Sequence, residues 1–227
     1  MDSNTWDQRY SGLDLVWSST PNRWVEEFAS ELPSGRALDI AGGEGRNALW
    51  LIQRGWQATV VDFSAVALQR ARALADERFG AQQSSRLTTV LSDLQTYTPE
   101  PRAFDLVIVA YLQVTADLRR RALRQAASAV ADGGSLLIIA HDSTNLKHGF
   151  GGPQDPAVLY TSSEVEADIH GLGLAVHTRG VKHRILPSEP GSDKTEPLLA
   201  IDALLFAHRN GVNNGKREQQ PESYPSG

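Results

Sequence analysis

The chain has no cysteine among its 227 residues and a single methionine. The first absence excludes disulfides, iron–sulfur clusters, thiolate-bound zinc and a cysteine nucleophile together, and it gives no sign of an oxidising compartment. No apolar run approaches the length needed to span a bilayer, and Met1 to Asp7 lack the basic and then apolar pattern of a leader, which implies a cytoplasmic chain with no membrane partner. Positive charge is also scarce. With 22 Lys and Arg against 27 Asp and Glu, the formal net charge is −5, the wrong sign for a protein drawn to nucleic acid by its phosphates. What is present, 41% hydrophobic and 22% charged residues, is ordinary globular usage in a length that suits one domain.

Strand-like and helix-like runs alternate for most of the length, the pattern of stacked βα units and a mainly parallel sheet. Arg36 to Ile40 predicts a strand, residues 41–45 a glycine turn, and Arg46 to Gln53 a helix closed by Gly55. Ala58 to Val61 is a second strand ending at Asp62, followed by a helix from about Ser64 to Phe79. Leu87 to Leu91 ends at Ser92-Asp93, and Phe104 to Val109 is apolar but for Asp105, as in a central strand buried on both faces. A helix over Thr115 to Val130 stops at Gly133-Gly134, before a fifth strand over Ser135 to Ala140. His141 to Tyr160 reads as a long loop rich in glycine and proline. After a short helix from Ser162 to Ile169, Leu174 to His183 and Leu198 to Ala207 are strands with no helix between them, hence an antiparallel hairpin. The polar stretch from His208 onward reads as a disordered tail.

A strand running into a glycine turn and a helix sets backbone N–H groups and a positive helix end beside a ligand. Asp62, ending the next strand, is placed to accept the two hydroxyls of a ribose, and Asp93, ending the third, to accept from an adenine amine. The turn Ala41-Gly42-Gly43-Glu44-Gly45-Arg46 lacks the G-x-G-x-x-G of dinucleotide sites, and Glu44 stands where a pyrophosphate would approach. Asp39, Glu44, Asp62 and Asp93 repel a diphosphate and attract a sulfonium with an α-amino group.

These residues resemble the class I S-adenosylmethionine-dependent methyltransferases. Residues 38–47, Leu-Asp-Ile-Ala-Gly-Gly-Glu-Gly-Arg-Asn, look like that family's first motif, Asp62 its ribose acid, Asp93-Leu94 its adenine pair, and Asp132-Gly133-Gly134 the turn before its fifth strand. The resemblance implies a doubly wound α/β domain over residues 23–207, with a mainly parallel seven-stranded sheet ending in the antiparallel hairpin. It also implies S-adenosylmethionine as cofactor and S-adenosylhomocysteine as product. Ala41 stands where the family has its first glycine and, with Gly43, would face the methionine part; Phe63 would cover one adenine face. Gly42, Ser64, Ser92 and Ala110 sit beside these positions at the same strand ends, and Tyr10, Trp17 and Arg46 are candidates for the carboxylate and sulfonium end. The opening Trp6-Asp7-Gln8-Arg9-Tyr10, with Trp17 and Pro21-Asn22, is similar to the tellurite-resistance and thiol, halide or thiopurine methyltransferase branch, in which residues 1–22 would fold over the cofactor. The aromatic residues there either form such a cover or pack a terminal helix onto the sheet.

Methyl transfer needs no metal, and the histidines have no ligand-like spacing. His141, at the end of the fifth strand, is either a general base or a histidine that holds the loop. Asp142 beside it, Tyr111 after the fourth strand, and Asn145, Phe150 and Tyr160 in or beside the long loop are candidate walls for a small-molecule acceptor. Arg119, Arg120, Arg121 and Arg124 read as a solvated basic helix face. Two other functions suit the same residues: aminopropyl transfer to a polyamine, and a non-catalytic module that binds the cofactor.

Overall fold

The computed structural model describes residues 3–12, 20–186 and 198–211. In chain order the elements are α1 (Ser3–Tyr10), α2 (Arg23–Ala29), β1 (Arg36–Ile40), α3 (Arg46–Gln53), β2 (Gln57–Asp62), α4 (Ala65–Ser84) and β3 (Leu87–Leu91). Then come β4 (Phe104–Ala110), α5 (Ala116–Ala129), β5 (Val130–His141), α6 (Asn145–His148), α7 (Ser162–Ile169), β6 (Leu174–Ile185) and β7 (Leu199–Arg209). The strands form one seven-stranded sheet in the order β3-β2-β1-β4-β5-β7-β6. Pairs among β1 to β5 are parallel, whereas β7 runs antiparallel to both β5 and β6. This is the fold class that the alternation of runs and the resemblance imply. Because strand order reverses between β1 and β4, their carboxyl ends open the crevice where such sheets take ligands.

Burial follows position in the sheet. Leu106, Val107, Ile108 and Val109 of β4 are fully buried, since helices cover both faces of a central parallel strand. On one face they meet α5 and α7 through Leu123, Ala126, Ala127 and Val165; on the other they meet α2 and α3 through Trp24, Val25 and Leu51. Edge strand β6 instead alternates half-buried and exposed residues along its whole length. Helix starts are chemically marked. Asn22 accepts from Trp24 N at 2.8 Å, Ser64 Oγ from Ala67 N at 3.1 Å, and Thr161 and Glu164 form a capping box on α7.

Several boundaries differ from the sequence expectation. β5 starts at Val130, because the chain pairs with Phe104 there, bulges through Gly133 and Gly134, and resumes its ladder at Ser135. The long loop contains α6 and a single 3₁₀ turn over Pro156–Val158, whose start is marked by Asp155 accepting from Ala157 N. α4 continues past Phe79 across a non-helical Gly80 to Ser84. β7 passes residue 207 to Arg209, whose buried guanidinium donates to the carbonyls of Ala127, Val130 and Leu172. The remaining tail lies outside the described residues. Of the α5 arginines, Arg120, Arg121 and Arg124 are exposed, whereas Arg119 is 5% exposed and donates to Asp168 of α7 at 2.7 Å; Arg120 and Arg124 join it, on the same carboxylate and on the Asp168 carbonyl. Arg119, Arg120 and Arg124 clamp α5 to α7.

Ala41 and Tyr111, which end β1 and β4, take left-handed backbone with φ of 54° and 57°. A residue with a Cβ is strained there by about 1 kcal/mol, and a β-branched one by more. Ala41→Val is therefore expected to cost roughly 2 kcal/mol in denaturant unfolding. Ala41→Gly should stay within about 1 kcal/mol of wild type, because strain relief is offset by a freer unfolded chain. Equal stability of the valine variant would show that the turn is not constrained.

Candidate functional site

The glycine turn brings β1, β2 and α1 together. Gly43 N donates to Asp62 Oδ2 at 2.9 Å and Ser64 N to Asp62 Oδ1 at 2.9 Å, so this buried carboxylate ties the turn to the end of β2. Burial raises its pKa, and the two N–H groups oppose that rise. Each oxygen keeps a second lone pair for a ligand hydroxyl. At Gly43, with φ of 55°, an added Cβ would come 2.6 Å from the Tyr10 hydroxyl. Only a bare backbone leaves room for that ring on the turn. Tyr10 is 4% exposed, with Trp6 stacked on it at 5.5 Å between ring centroids. Arg70 of α4 donates to the carbonyls of Tyr10 and Gly12 and pairs with Glu44 at 3.1 Å, while Ser64 Oγ donates to Asp7. Thus α1 is anchored over the turn from two sides. Trp17 lies outside the described residues.

Beneath the turn, Asp39 is 1% exposed, and neither carboxyl oxygen has a hydrogen-bond partner. A Cβ on Gly42 would stand 2.9 Å from its Oδ2. Burial pushes its pKa from 3.8 up to about 7, against the pull of nearby Arg46, Asn47 and Ala48. Ionising a buried carboxyl that makes no full hydrogen bond is costly even with these neighbours, and a cationic ligand at this turn would lower the cost. Glu44 does not share that role, because its charge is paired with Arg70. The acidic crowding inferred from sequence therefore narrows to Asp39 and Asp62.

Of the remaining cofactor positions, Asp93 is exposed and uses Oδ1 to accept from Gln95 N at 2.8 Å, while Leu94 packs its side chain against the core. Ser92 N donates to Asp62 O, and Phe63 is half-buried just after Asp62. Ala110 packs with the Trp24 cluster, one residue before Tyr111.

Beside the turn lies a cavity of about 410 Å³ lined by Pro21, Asn22, Arg23, Arg46, Tyr111, His141, Phe150, Gly151, Gly152, Arg184, Ile185 and Leu186. It gathers Tyr111, His141 and Phe150 as expected, with Arg46 between them and Asp39. Asp142, Asn145 and Tyr160 do not line it. Asp142 Oδ1 accepts from Thr144 N and Oγ1; Asn145 bridges Ile201 N and Gly151 O; Tyr160 is fully buried with its hydroxyl donating to Leu112 O. These three hold the loop in shape. A polar or aromatic residue beside a glycine-rich stretch looks exposed in sequence, but each has a partner on another element.

The residue that sequence reasoning missed is Asp202. It pairs across the ladder with His141 and is fully buried behind the cavity. Its Oδ2 accepts from Trp24 Nε1 at 2.8 Å, Tyr111 hydroxyl at 3.0 Å and Arg184 Nε at 3.0 Å; its Oδ1 lies 3.4 Å from Arg184 Nη2 and 3.7 Å from His141 Nδ1. A charge set in Leu-Ala-Ile-Asp-Ala-Leu-Leu-Phe is the signal that would have found it. Burial lowers the His141 pKa, partly opposed by Asp202, so the ring is neutral at pH 7 and can accept a proton. The Tyr111 hydroxyl is pushed up to about 12 by burial and by Asp202, and stays protonated.

Comparison with known proteins follows this geometry. Residues 37–134 match the family model of a methyltransferase domain. No curated protein matches the chain in sequence. A protein solved in work on the conversion of a disulfide bond into a thioacetal group during echinomycin biosynthesis is 18% identical, with a TM-score of 0.68 and 93% of each chain covered. TehB from Haemophilus influenzae is 15% identical, with a TM-score of 0.65 over 92% of this chain and 67% of that one. Magnesium protoporphyrin IX methyltransferase from Synechocystis PCC 6803, with bound S-adenosylmethionine, is 16% identical, with a TM-score of 0.55 over 92% and 79%. The match over residues 37–134 is thus to a methyltransferase domain, and the chain around it has the fold of these three proteins.

Proposed function

We propose that this chain is an S-adenosylmethionine-dependent methyltransferase acting on a small-molecule acceptor held in the cavity beside His141. The observation that carries the reading is Asp39, a fully buried carboxyl without a hydrogen bond under a glycine turn, within the stretch that matches a methyltransferase domain. When bound, S-adenosylmethionine supplies an electrophilic methyl on a sulfonium. Asp39 offsets the positive charge of its methionine end, Asp62 accepts its ribose hydroxyls, Phe63 and Leu94 cover the adenine, and α1 with Tyr10 excludes water. Arg46 stands at the border of the two compartments and offers its guanidinium to the methionine carboxylate. With that cofactor bound, the methyl would pass to an acceptor lone pair as sulfur keeps the carbon–sulfur electron pair, and His141 would take the acceptor's proton.

Support for the tellurite-resistance and thiol, halide or thiopurine branch comes from the way α1 sits on the turn, since that branch uses its amino-terminal segment as a cover. Aminopropyl transfer is less favoured. A polyamine acceptor requires carboxylates, and among the described residues the cavity is lined by three arginines and no carboxylate.

Mass-spectrometric detection of methylated product tests the proposal, using the full chain with S-adenosylmethionine and a panel of thiols, iodide, tellurite, phenols and amines. His141→Ala is expected to lower kcat/KM for a phenol or amine by about 10²–10⁴-fold and to affect a thiolate, which needs no base, far less. A phenol or amine turned over undiminished would remove His141 from the proton transfer.

A further inference from the structure

Resting on that reading, we propose that the acceptor carries an anionic group, a carboxylate or a phosphate, and that Arg184 and Arg23 bind it. Among the described residues, the cavity presents the guanidiniums of Arg23, Arg46 and Arg184 and no carboxylate on its lining. Arg46 is shared with Asp39, which leaves the other two facing the acceptor compartment. Arg184 is held in place before any ligand arrives. Asp202 engages its Nε and Nη2, and its guanidinium stands 5.5 Å from the Tyr111 ring centroid. Nη1 is the nitrogen that Asp202 does not engage, and a guanidinium's five N–H groups are enough for two acceptors. Fixing a planar fork in advance lessens the entropy lost on binding, which favours Arg184 as an anchor.

Charge points the same way. Asp202 offsets one of the three arginines and Asp39 the net positive charge of the bound cofactor, which leaves positive charge in excess beside a neutral His141. A cationic acceptor would enter against this field and an anionic one with it. Arg23 is exposed at the mouth, its guanidinium 4.5 Å from the Trp24 ring, where it can meet the anion first. The lining also includes Phe150, Tyr111 and Ile185, which suit a ring or hydrocarbon body. An anion beside His141 also raises the basicity of the imidazole, and so assists the proton transfer.

The test is calorimetric binding to the full chain saturated with S-adenosylhomocysteine, using 4-mercaptobenzoate, its amide 4-mercaptobenzamide, phenyl phosphate and cationic 4-mercaptobenzylamine. The expected result is that at least one anion binds ten or more times tighter than the amide, with the amine weakest. The ranking of benzoate and phenyl phosphate then names the anion. Arg184→Gln should lower the acid-to-amide ratio about tenfold and Arg23→Gln about threefold, while Arg184→Lys, which keeps the charge and loses the fixed fork, should lower it about threefold. If Arg184→Gln fails to fold because Asp202 loses its partner, exposed Arg23→Gln and charge-conserving Arg184→Lys still decide. Equal binding of acid and amide, no binding of either anion, or tightest binding of the amine overturns the proposal. Failure of S-adenosylhomocysteine to bind would instead overturn the methyltransferase reading, and the acid–amide comparison on the free protein would stand by the same criteria.

Discussion

Affinity for S-adenosylmethionine should rise about tenfold per pH unit between pH 5.5 and 7 and level off above, with close to one proton released per cofactor bound at pH 6. The cause is Asp39. Its folded pKa is raised from 3.8 to about 7 by burial, so below pH 7 the cofactor-free protein holds a neutral carboxyl there. A cationic ligand requires the carboxylate and must displace that proton. The α-amino group of the ligand keeps its own proton to roughly pH 7.7–8, so it does not blur the lower window. Linkage gives the companion sign for stability. A folded pKa above the unfolded one contributes stability that is complete below about pH 4 and is lost as pH rises through 7. This group therefore makes the cofactor-free protein less stable at pH 8 than at pH 6, and saturating cofactor removes that trend, because the bound and unfolded states then both hold a carboxylate across the window. Asp39→Asn should flatten both curves. A pH-independent affinity in wild type would mean that Asp39 does not sense the ligand's charge.

Asp202→Ala should lose about 3–5 kcal/mol in stability, equivalent to roughly 10 °C in Tm for a chain of this size. One substitution strips the acceptor from the Trp24 indole, the Tyr111 hydroxyl and the Arg184 guanidinium together, and the first two are left deep between α2 and the sheet. Buried donors without partners are what makes such losses large. Asp202→Asn keeps an oxygen for Trp24 and Tyr111 but gives up the charge opposite Arg184, and should cost about 1–3 kcal/mol. In either variant the His141 pKa falls further, because the charge that opposes its desolvation is gone. Histidine titration by NMR reads this directly. A loss below about 1 kcal/mol in the alanine variant would show that the network does not hold the end of the sheet together.

How much of this was legible from the amino-acid order depends on how local each feature is. The glycine turn was readable because strand, turn and helix are consecutive, and left-handed Ala41, Gly43 and Gly45 are strung along a few residues. Asp62 was readable because a β-strand puts the next acid at the same edge of the sheet. The acceptor side was not. His141 and Tyr111 could be placed at strand ends, but Arg184, Asp202 and Trp24 meet only once β6 and β7 return antiparallel and α2 packs across them, with 178 residues between Trp24 and Asp202. Tyr160 was misleading for the same reason. Its place beside the long loop suggested a wall of the acceptor pocket, yet the ring lies beneath the Arg119 guanidinium at 4.7 Å, inside the clamp between α5 and α7. Arg119 misled too, since its partner Asp168 is nearly fifty residues away and nothing local marks it.

The measurement that bears most directly on the central claim is calorimetric titration of the full chain with S-adenosylhomocysteine and, in parallel, with NAD. The turn that Asp39 underlies predicts a saturable, one-to-one, micromolar-class heat with the former and none with the latter. No heat with S-adenosylhomocysteine, or saturable binding of NAD instead, would contradict it.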